Sequence, residues 1–141
     1  MGKVMAKIKL TNVVDQGNAH RGALRPDQVR TLELEGLVDT GATTLVIPAE
    51  VAEALGLREI GRRSVRLADG SVRDFPQMSE LHIEILGRGM SCDAIAMPTK
   101  TLLIGQIPLE GLDLIVDPKS RDLAVNPDSP DVPMLDAMHA A

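Results

Sequence analysis

Hydrophobic and polar residues alternate with the two-residue period of a β-strand in several parts of the chain. Residues 4–10 and 81–85 show this alternation, and residues 32–38 begin with it and then become fully apolar. A fully apolar run is typical of a strand that is buried on both faces, and residues 45–47 form another such run. Further strands are predicted for residues 65–68, 71–75, 90–97, 101–104, 114–116 and 123–125. The pattern therefore predicts an all-β fold.

Turn and helix signals separate these strands. Asp69-Gly70 lies between two strand patterns and favours a tight hairpin. Pro48 suits the first turn of a short helix, and a second brief helix is predicted over residues 108–111. The polar segment 15–27 is predicted to be a loop. We therefore expect one or two short helices beside the strands.

Length and composition favour a single domain with an aliphatic core. The chain has 141 residues and is 44% apolar, but Phe75 is its one aromatic residue. The formal net charge of -5 gives no electrostatic reason to expect binding to nucleic acid or to an anionic membrane. Lys3, Lys7 and Lys9 interrupt the apolar residues at the N-terminus, so neither a signal peptide nor a membrane span is expected. We expect a cytoplasmic protein.

Cysteine and histidine give little support for metal or redox chemistry. Cys92 is the one cysteine, so an internal disulfide is impossible, and we interpret it as an inert buried thiol. His20, His82 and His139 are scattered, and none stands at a metal-ligand spacing from another His or Cys. The sequence therefore leads us to expect no metal and no cofactor.

The strongest candidate for chemistry is Asp39-Thr40-Gly41, which directly follows the strand predicted at residues 32–38. A carboxylate at the end of a buried strand is held rigidly, and the small residues Gly41 and Ala42 leave room for a peptide to approach. Asp, Thr and Gly are also common in turns, so a purely structural turn is the alternative interpretation. The motif occurs once in the chain, which matters because the chemistry it suggests needs two carboxylates.

Three segments, in this order, resemble the retropepsin-like aspartic proteases, most closely their short bacterial members. They are Leu37-Val38-Asp39-Thr40-Gly41-Ala42, the Asp69-Gly70 hairpin, and Leu102-Leu103-Ile104-Gly105. The resemblance covers residues 1–127 and implies a closed acid-protease barrel. Residues 128–141 have no counterpart in the family and are expected to form a C-terminal tail, partly disordered or docked on a partner.

The resemblance also implies a homodimer and a mechanism of peptide hydrolysis. Each chain would supply one Asp39, and the two carboxylates would share a proton and activate a water held between them. Thr40 would bond across the dimer, and Gly41 would offer backbone atoms near the two acids. Ala42 would be the small residue beside the substrate. This mechanism uses no metal and no covalent intermediate.

The hairpin at Ala68, Asp69 and Gly70 is expected, by the same resemblance, to be a flap. A flap is a mobile lid that clamps an extended peptide through backbone hydrogen bonds. Alternate side chains of the peptide would then fill pockets. Candidates for the pocket lining are Ile47, Leu67, Ala68 and Ile107. The acidic tip would disfavour acidic substrates if it came near the two catalytic acids.

Two other functions stay open at this level. One is a non-catalytic retropepsin-like module that dimerises or binds peptides, with its two aspartates too far apart for chemistry. The other is a monomer that completes its site only with a partner or a substrate. The distance between two Asp39 carboxylates distinguishes the enzyme from the module, and sizing chromatography over a dilution series detects the monomer.

Overall fold

The computed structural model of the protein describes residues 2–137. Within that range lie nine strands, three short α-helices and one 3-10 helix. The strands are β1 (Met5–Asn12), β2 (Thr31–Val38), β3 (Leu45–Pro48), β4 (Arg58–Arg66), β5 (Val72–Ile85), β6 (Arg88–Met97), β7 (Leu102–Ile104), β8 (Leu114–Val116) and β9 (Leu123–Val125). The helices are α1 (Val13–His20), α2 (Ala49–Ala54) and α3 (Gln106–Gly111), and the 3-10 helix is Pro26–Gln28.

Six of the strands close into a mixed barrel. They are hydrogen-bonded in the order β1-β2-β7-β3-β6-β5, and β5 pairs back to β1, which closes the ring. β2 pairs with β7 and β3 pairs with β6 in parallel, whereas the other neighbours in the ring are antiparallel. β4 pairs with β5 outside the ring, so β4 and the first half of β5 form the β4–β5 hairpin. The predicted closed barrel is confirmed.

Aliphatic side chains fill the barrel, as the composition predicted. Fully buried positions include Ile8, Leu10, Leu45, Ile47, Leu81, Ile83, Leu102 and Ile104. Burying each side chain of this size stabilises the fold by roughly 1.5–3 kcal/mol. Phe75 lies in a second, smaller cluster with Val46 and Ile95, and Val65 and Leu67 of the β4–β5 hairpin pack against it. This second cluster therefore joins the hairpin to the barrel wall.

The loop predicted for residues 15–27 is wrong in its first half, because α1 spans Val13–His20. The Asn12 side chain caps this helix by accepting a hydrogen bond from the Asp15 N–H at 3.0 Å. The buried Asp15 carboxylate accepts from the Arg30 guanidinium at 2.7 Å, and this hydrogen bond lowers the pKa of Asp15. A cap and a tertiary ion pair thus stabilise a helix whose sequence has little apolar periodicity.

The other predicted elements are confirmed with shifted bounds. β5 joins the strands predicted at residues 71–75 and 81–85 into one long strand. β4 begins at Arg58, well before the strand predicted at residues 65–68. The two predicted helices are α2 and α3, and α1 adds a third.

The C-terminal tail is attached to the barrel through Asp113. The Asp113 carboxylate accepts hydrogen bonds from the Ser129 hydroxyl, from Asn126 Nδ2 at 3.0 Å and from the Met134 N–H at 3.0 Å. These contacts, with that of Ser129 the largest, lower the pKa of Asp113 to about 2. The buried Arg88 guanidinium donates to the Ser129 carbonyl as well. The start of the tail is therefore docked on its own chain.

The division into a domain at residues 1–127 and a tail at residues 128–141 stays a prediction. Residues 138–141, and His139 with them, lie outside the described residues. No helix between residues 2 and 137 is long and apolar enough to cross a membrane.

Candidate active site

The Asp39 backbone is fixed at the point where β2 ends. β2 runs parallel to β7, with Gly36 opposite Leu102 and Val38 opposite Ile104. The Asp39 N–H extends this ladder by donating to the Ile104 carbonyl at 3.0 Å. Because Ile104 is fully buried, Asp39 is held by the barrel wall rather than by a free loop.

The loop after β2 orients the Asp39 carboxylate. Its Oδ1 accepts a hydrogen bond from the Gly41 N–H at 2.9 Å, and the Asp39 carbonyl accepts one from the Ala42 N–H at 3.1 Å. The Gln106 side chain donates to the Thr40 carbonyl at 3.1 Å, which ties the loop to α3. The backbone thus engages one carboxylate oxygen, and Oδ2 makes no hydrogen bond within residues 2–137.

Gly105, just after β7, lets this loop pack against the barrel. The Gln106 N–H donates to the Ala42 carbonyl at 2.9 Å, so the two segments lie in direct backbone contact. A Cβ added at Gly105 would stand 2.3 Å from the Thr44 carbonyl oxygen and 2.6 Å from that of Ala42. A side chain cannot occupy that space without moving the loop. This explains why a glycine ends the Leu102–Ile104 strand.

The Asp39 loop opens into a groove of about 1000 Å³. Asp39, Gly41 and Ala42 line one side of the groove, and Ala68 lines it from the β4–β5 hairpin. Leu67 and Ile107, which were candidates for the pocket lining, also line it, as do the apolar residues Val46, Ile95, Met97 and Leu103. Ile47 is fully buried in the barrel core instead. The arrangement is an oriented carboxylate at the edge of an open, largely apolar channel, and the β4–β5 hairpin forms another of its walls.

Three of the predicted site residues do not line the groove. Thr40 is exposed and borders a separate hollow of about 580 Å³ between α3 and the tail. Asp69 and Gly70 form the exposed tip of the β4–β5 hairpin, where Gly70 has a φ of 87°. The Asp69 carboxylate accepts from the Ser71 hydroxyl at 2.6 Å, and this contact first of all lowers the pKa of Asp69. The roles given to these residues from the resemblance stay predictions.

Several polar residues of the groove were not found from the sequence. Arg63 and Arg66 line it from β4, and Gln77 lines it from β5. Asp93 lines it from β6 and accepts a hydrogen bond from Gln77 Nε2 at 3.0 Å. Cys92, which packs against the barrel core, also borders the groove, and burial, with the neighbouring Asp93 charge, raises its pKa to about 12. These residues are far apart in the sequence, and barrel closure brings them together.

The site of one chain therefore offers one oriented carboxylate. Acid–base hydrolysis of a peptide bond needs an ionised acid and a protonated acid facing the same water, so a second carboxylate is required. In the part of the chain that the structure describes, no three His, Cys, Asp or Glu side chains lie close enough together to hold a metal ion.

Comparison with known proteins agrees with this geometry. The profile described as "Aspartyl protease" matches residues 27–116, which include the Asp39 motif, the β4–β5 hairpin and β7. This match covers more than half of the chain, and the chain belongs to the aspartyl protease family. No curated protein matches it.

The fold is also similar to a solved viral structure. That structure is a foamy viral protease–reverse transcriptase in complex with an RNA/DNA hybrid, and it superposes with a TM-score of 0.51 at 16% sequence identity. The superposition covers 76% of this chain but only 11% of the viral chain. At this identity the similarity supports the fold alone, and it confirms the predicted retropepsin-like barrel.

Proposed function

We propose that the protein is an aspartic endopeptidase that is active as a homodimer. The observation that carries the proposal is the placement of Asp39 at the edge of the groove: its backbone N–H donates to the Ile104 carbonyl of the barrel, and its carboxylate is oriented by the Gly41 N–H. Family membership supports the same chemistry. Since the motif occurs once per chain, the second acid comes from a second copy related by a twofold axis.

The proposed reaction uses the two Asp39 side chains in different protonation states. Two carboxylates that face each other at hydrogen-bonding distance do not both ionise, so the pair retains one proton. The ionised acid takes a proton from the water between them, and the water oxygen attacks the carbonyl carbon of the peptide bond. The protonated acid donates its proton to the carbonyl oxygen. The tetrahedral intermediate then collapses: the C–N bond breaks, the amine leaves with the proton that the first acid took from the water, and the second acid takes back a proton from a hydroxyl group of the intermediate as the new carboxyl group forms.

The substrate we propose is an extended or unfolded peptide segment lying in the groove. The β4–β5 hairpin covers one side of the groove, and Ala68, next to its tip, lines it. A peptide strand placed there finds backbone donors and acceptors along the hairpin and apolar surface opposite. Thr40 is exposed beside Asp39, where a contact with the second chain is expected. A cytoplasmic location remains part of the proposal.

Replacement of the proposed catalytic acid tests this function. The Asp39→Asn variant keeps the size of the side chain, so we expect cleavage of a synthetic peptide library to fall at least about 100-fold. The free energy of unfolding should change by less than about 1 kcal/mol, because Asp39 is half-exposed. Cleavage products are identified by mass spectrometry from acid to neutral pH.

A matched control is Asp27→Asn, which alters an exposed acid distant in sequence from the motif. This variant should cleave the library as the unaltered protein does. Cleavage that survives Asp39→Asn would refute the proposed enzyme. Peptide binding without cleavage by either protein would favour the non-catalytic module.

A further inference from the structure

The wall of the groove formed by the β4–β5 hairpin is basic. β4 carries four arginines, and two of them are occupied by carboxylates outside the groove. Arg58 pairs with Glu80 at 2.9 Å, and Arg62 pairs with Glu59 at 3.6 Å. Arg63 lines the groove and makes no ion pair with any carboxylate in residues 2–137.

The strand register places Arg63 on the face of the hairpin that is turned toward the groove. Arg63 lies directly opposite Phe75, and residues opposite each other in an antiparallel pair share a face. Phe75 is only 6% exposed and packs on the barrel wall with Val46. Val65, two residues further along β4, packs against the same cluster. The Arg63 side chain is exposed and therefore extends from the same face as this apolar surface, where its guanidinium is accessible to a ligand in the groove.

The other charges of the groove do not neutralise Arg63. Neither Asp93, which accepts a hydrogen bond from Gln77 at 3.0 Å, nor Asp39, the proposed catalytic acid, forms an ion pair with Arg63. Arg66 also lines the groove but stands three residues further along the strand, on its opposite face. Arg63 thus lines the groove from the hairpin face that carries Phe75 and Val65, and it has no carboxylate partner among residues 2–137.

We propose that Arg63 is a specificity residue that binds an Asp or Glu side chain of the peptide. This inference rests on the proposed function and names its substrate class, which is extended segments with an acidic residue at one subsite. A guanidinium recognises a carboxylate through two parallel hydrogen bonds, which gives orientation as well as attraction.

The position of Arg63 places this subsite away from the cleaved bond. Arg63 lies four residues before Leu67, which is roughly 13 Å along an extended strand. The acidic residue of the peptide that binds Arg63 would then lie a few residues away from the cleaved bond, which we place beneath the hairpin tip. The Asp69 carboxylate at the tip accepts hydrogen bonds from Ser71, which favour its ionised form, and the expectation that the tip disfavours acidic substrates stays a prediction for the subsites beneath it.

Cleavage of a synthetic peptide library of random sequence tests the proposal. We expect the unaltered protein to prefer Glu over Gln by about tenfold at one position away from the cleaved bond. Arg63→Gln should reduce that preference to less than about twofold, and Arg63→Glu should replace it by a preference for Lys or Arg. Arg62→Gln is the matched control, since Arg62 is the adjacent residue and does not line the groove; it should retain the acidic preference. The same profile in all four proteins would overturn the proposal.

A binding measurement separates this proposal from the enzymatic one. The same library is passed over immobilised Asp39→Asn protein, and the retained peptides are sequenced. Enrichment of Asp and Glu that Arg63→Glu abolishes supports the role of Arg63 even if the unaltered protein cleaves nothing. Retention with no acidic enrichment, or no retention and no cleavage at all, overturns it.

Discussion

At the scale of single residues, two glycines determine how the loop that carries Asp39 packs against the barrel and how its carboxylate is oriented. Gly41 supplies the N–H that orients the Asp39 carboxylate, and a Cβ added there would stand 3.2 Å from that same oxygen. Gly105 permits the backbone contact between the loop and the segment after β7. The position of the Asp39 carboxylate thus depends on having glycine, which has no side chain, at both position 41 and position 105.

Gly105→Ala should therefore lower both stability and activity. The added methyl group would lie 2.3 Å from the Thr44 carbonyl oxygen, so the loop must move. Overpacking of this kind costs about 1–3 kcal/mol. Urea unfolding measures the loss of stability, and peptide cleavage measures the displacement of Asp39. Gly61→Ala is the matched control, because no atom lies within 4 Å of its added Cβ. Equal stability of the two variants would show that the loop can accommodate a side chain at position 105, which would contradict this prediction.

The residues of the site differ in how well they could be predicted. Asp39 was found because its carboxylate, the small residues after it and the buried strand before it are neighbours in the sequence. Arg63 and Asp93 were not found, because only the pairing of β4, β5 and β6 brings them to one groove. Cys92 lies on an alternating strand, and its half-buried thiol with a raised pKa fits the predicted inert role.

At the scale of elements, the attachment of the tail depends on one ionised side chain. Asp113 accepts hydrogen bonds from Ser129 and Met134 of the tail and from Asn126 just before it, and its pKa in the folded protein is about 2. A carboxylate whose folded pKa lies below its unfolded value stabilises the fold above the unfolded pKa, which is near 3.9 for Asp. That stabilisation is lost as the pH falls from about 4 through the folded value near 2.

We expect thermal unfolding to show this dependence. The melting temperature of the unaltered protein should decrease between about pH 4 and pH 2, and Asp113→Asn should flatten that decrease and lower the melting temperature at neutral pH. The exposed acid Asp128 provides the control, and Asp128→Asn should leave the profile unchanged. Parallel profiles for Asp113→Asn and the unaltered protein would contradict the role of Asp113.

Strands could be predicted from the sequence where their own residues alternate between apolar and polar. β1 and β2 alternate because one of their faces lies in the barrel. Most of β4 is exposed on both faces, so it has no alternation, and residues 58–64 of this strand were missed. α1 was missed because its stability comes from the Asn12 cap and from the ion pair of Asp15 with Arg30, which lies outside the helix, just before β2. β4 and α1 are defined by tertiary contacts with other parts of the chain. The pattern of apolar and polar residues within each segment does not show those contacts.

At the scale of the whole molecule, the account depends on the second copy. The barrel positions one carboxylate, the groove runs past it, and Thr40 next to it is exposed. All of these features belong to one chain, whereas the proposed reaction requires two acids at one water. The most direct test therefore asks whether one active site uses Asp39 from two chains.

That test is a subunit-mixing measurement. Unaltered and Asp39→Asn chains are unfolded together, refolded at constant total concentration and assayed for peptide cleavage. A mixed dimer has one acid and is inactive in our account, so activity should follow the square of the unaltered fraction, about a quarter of full activity in an equal mixture. Activity that falls in direct proportion, to about half in the equal mixture, would mean that each chain works alone and would contradict the shared site.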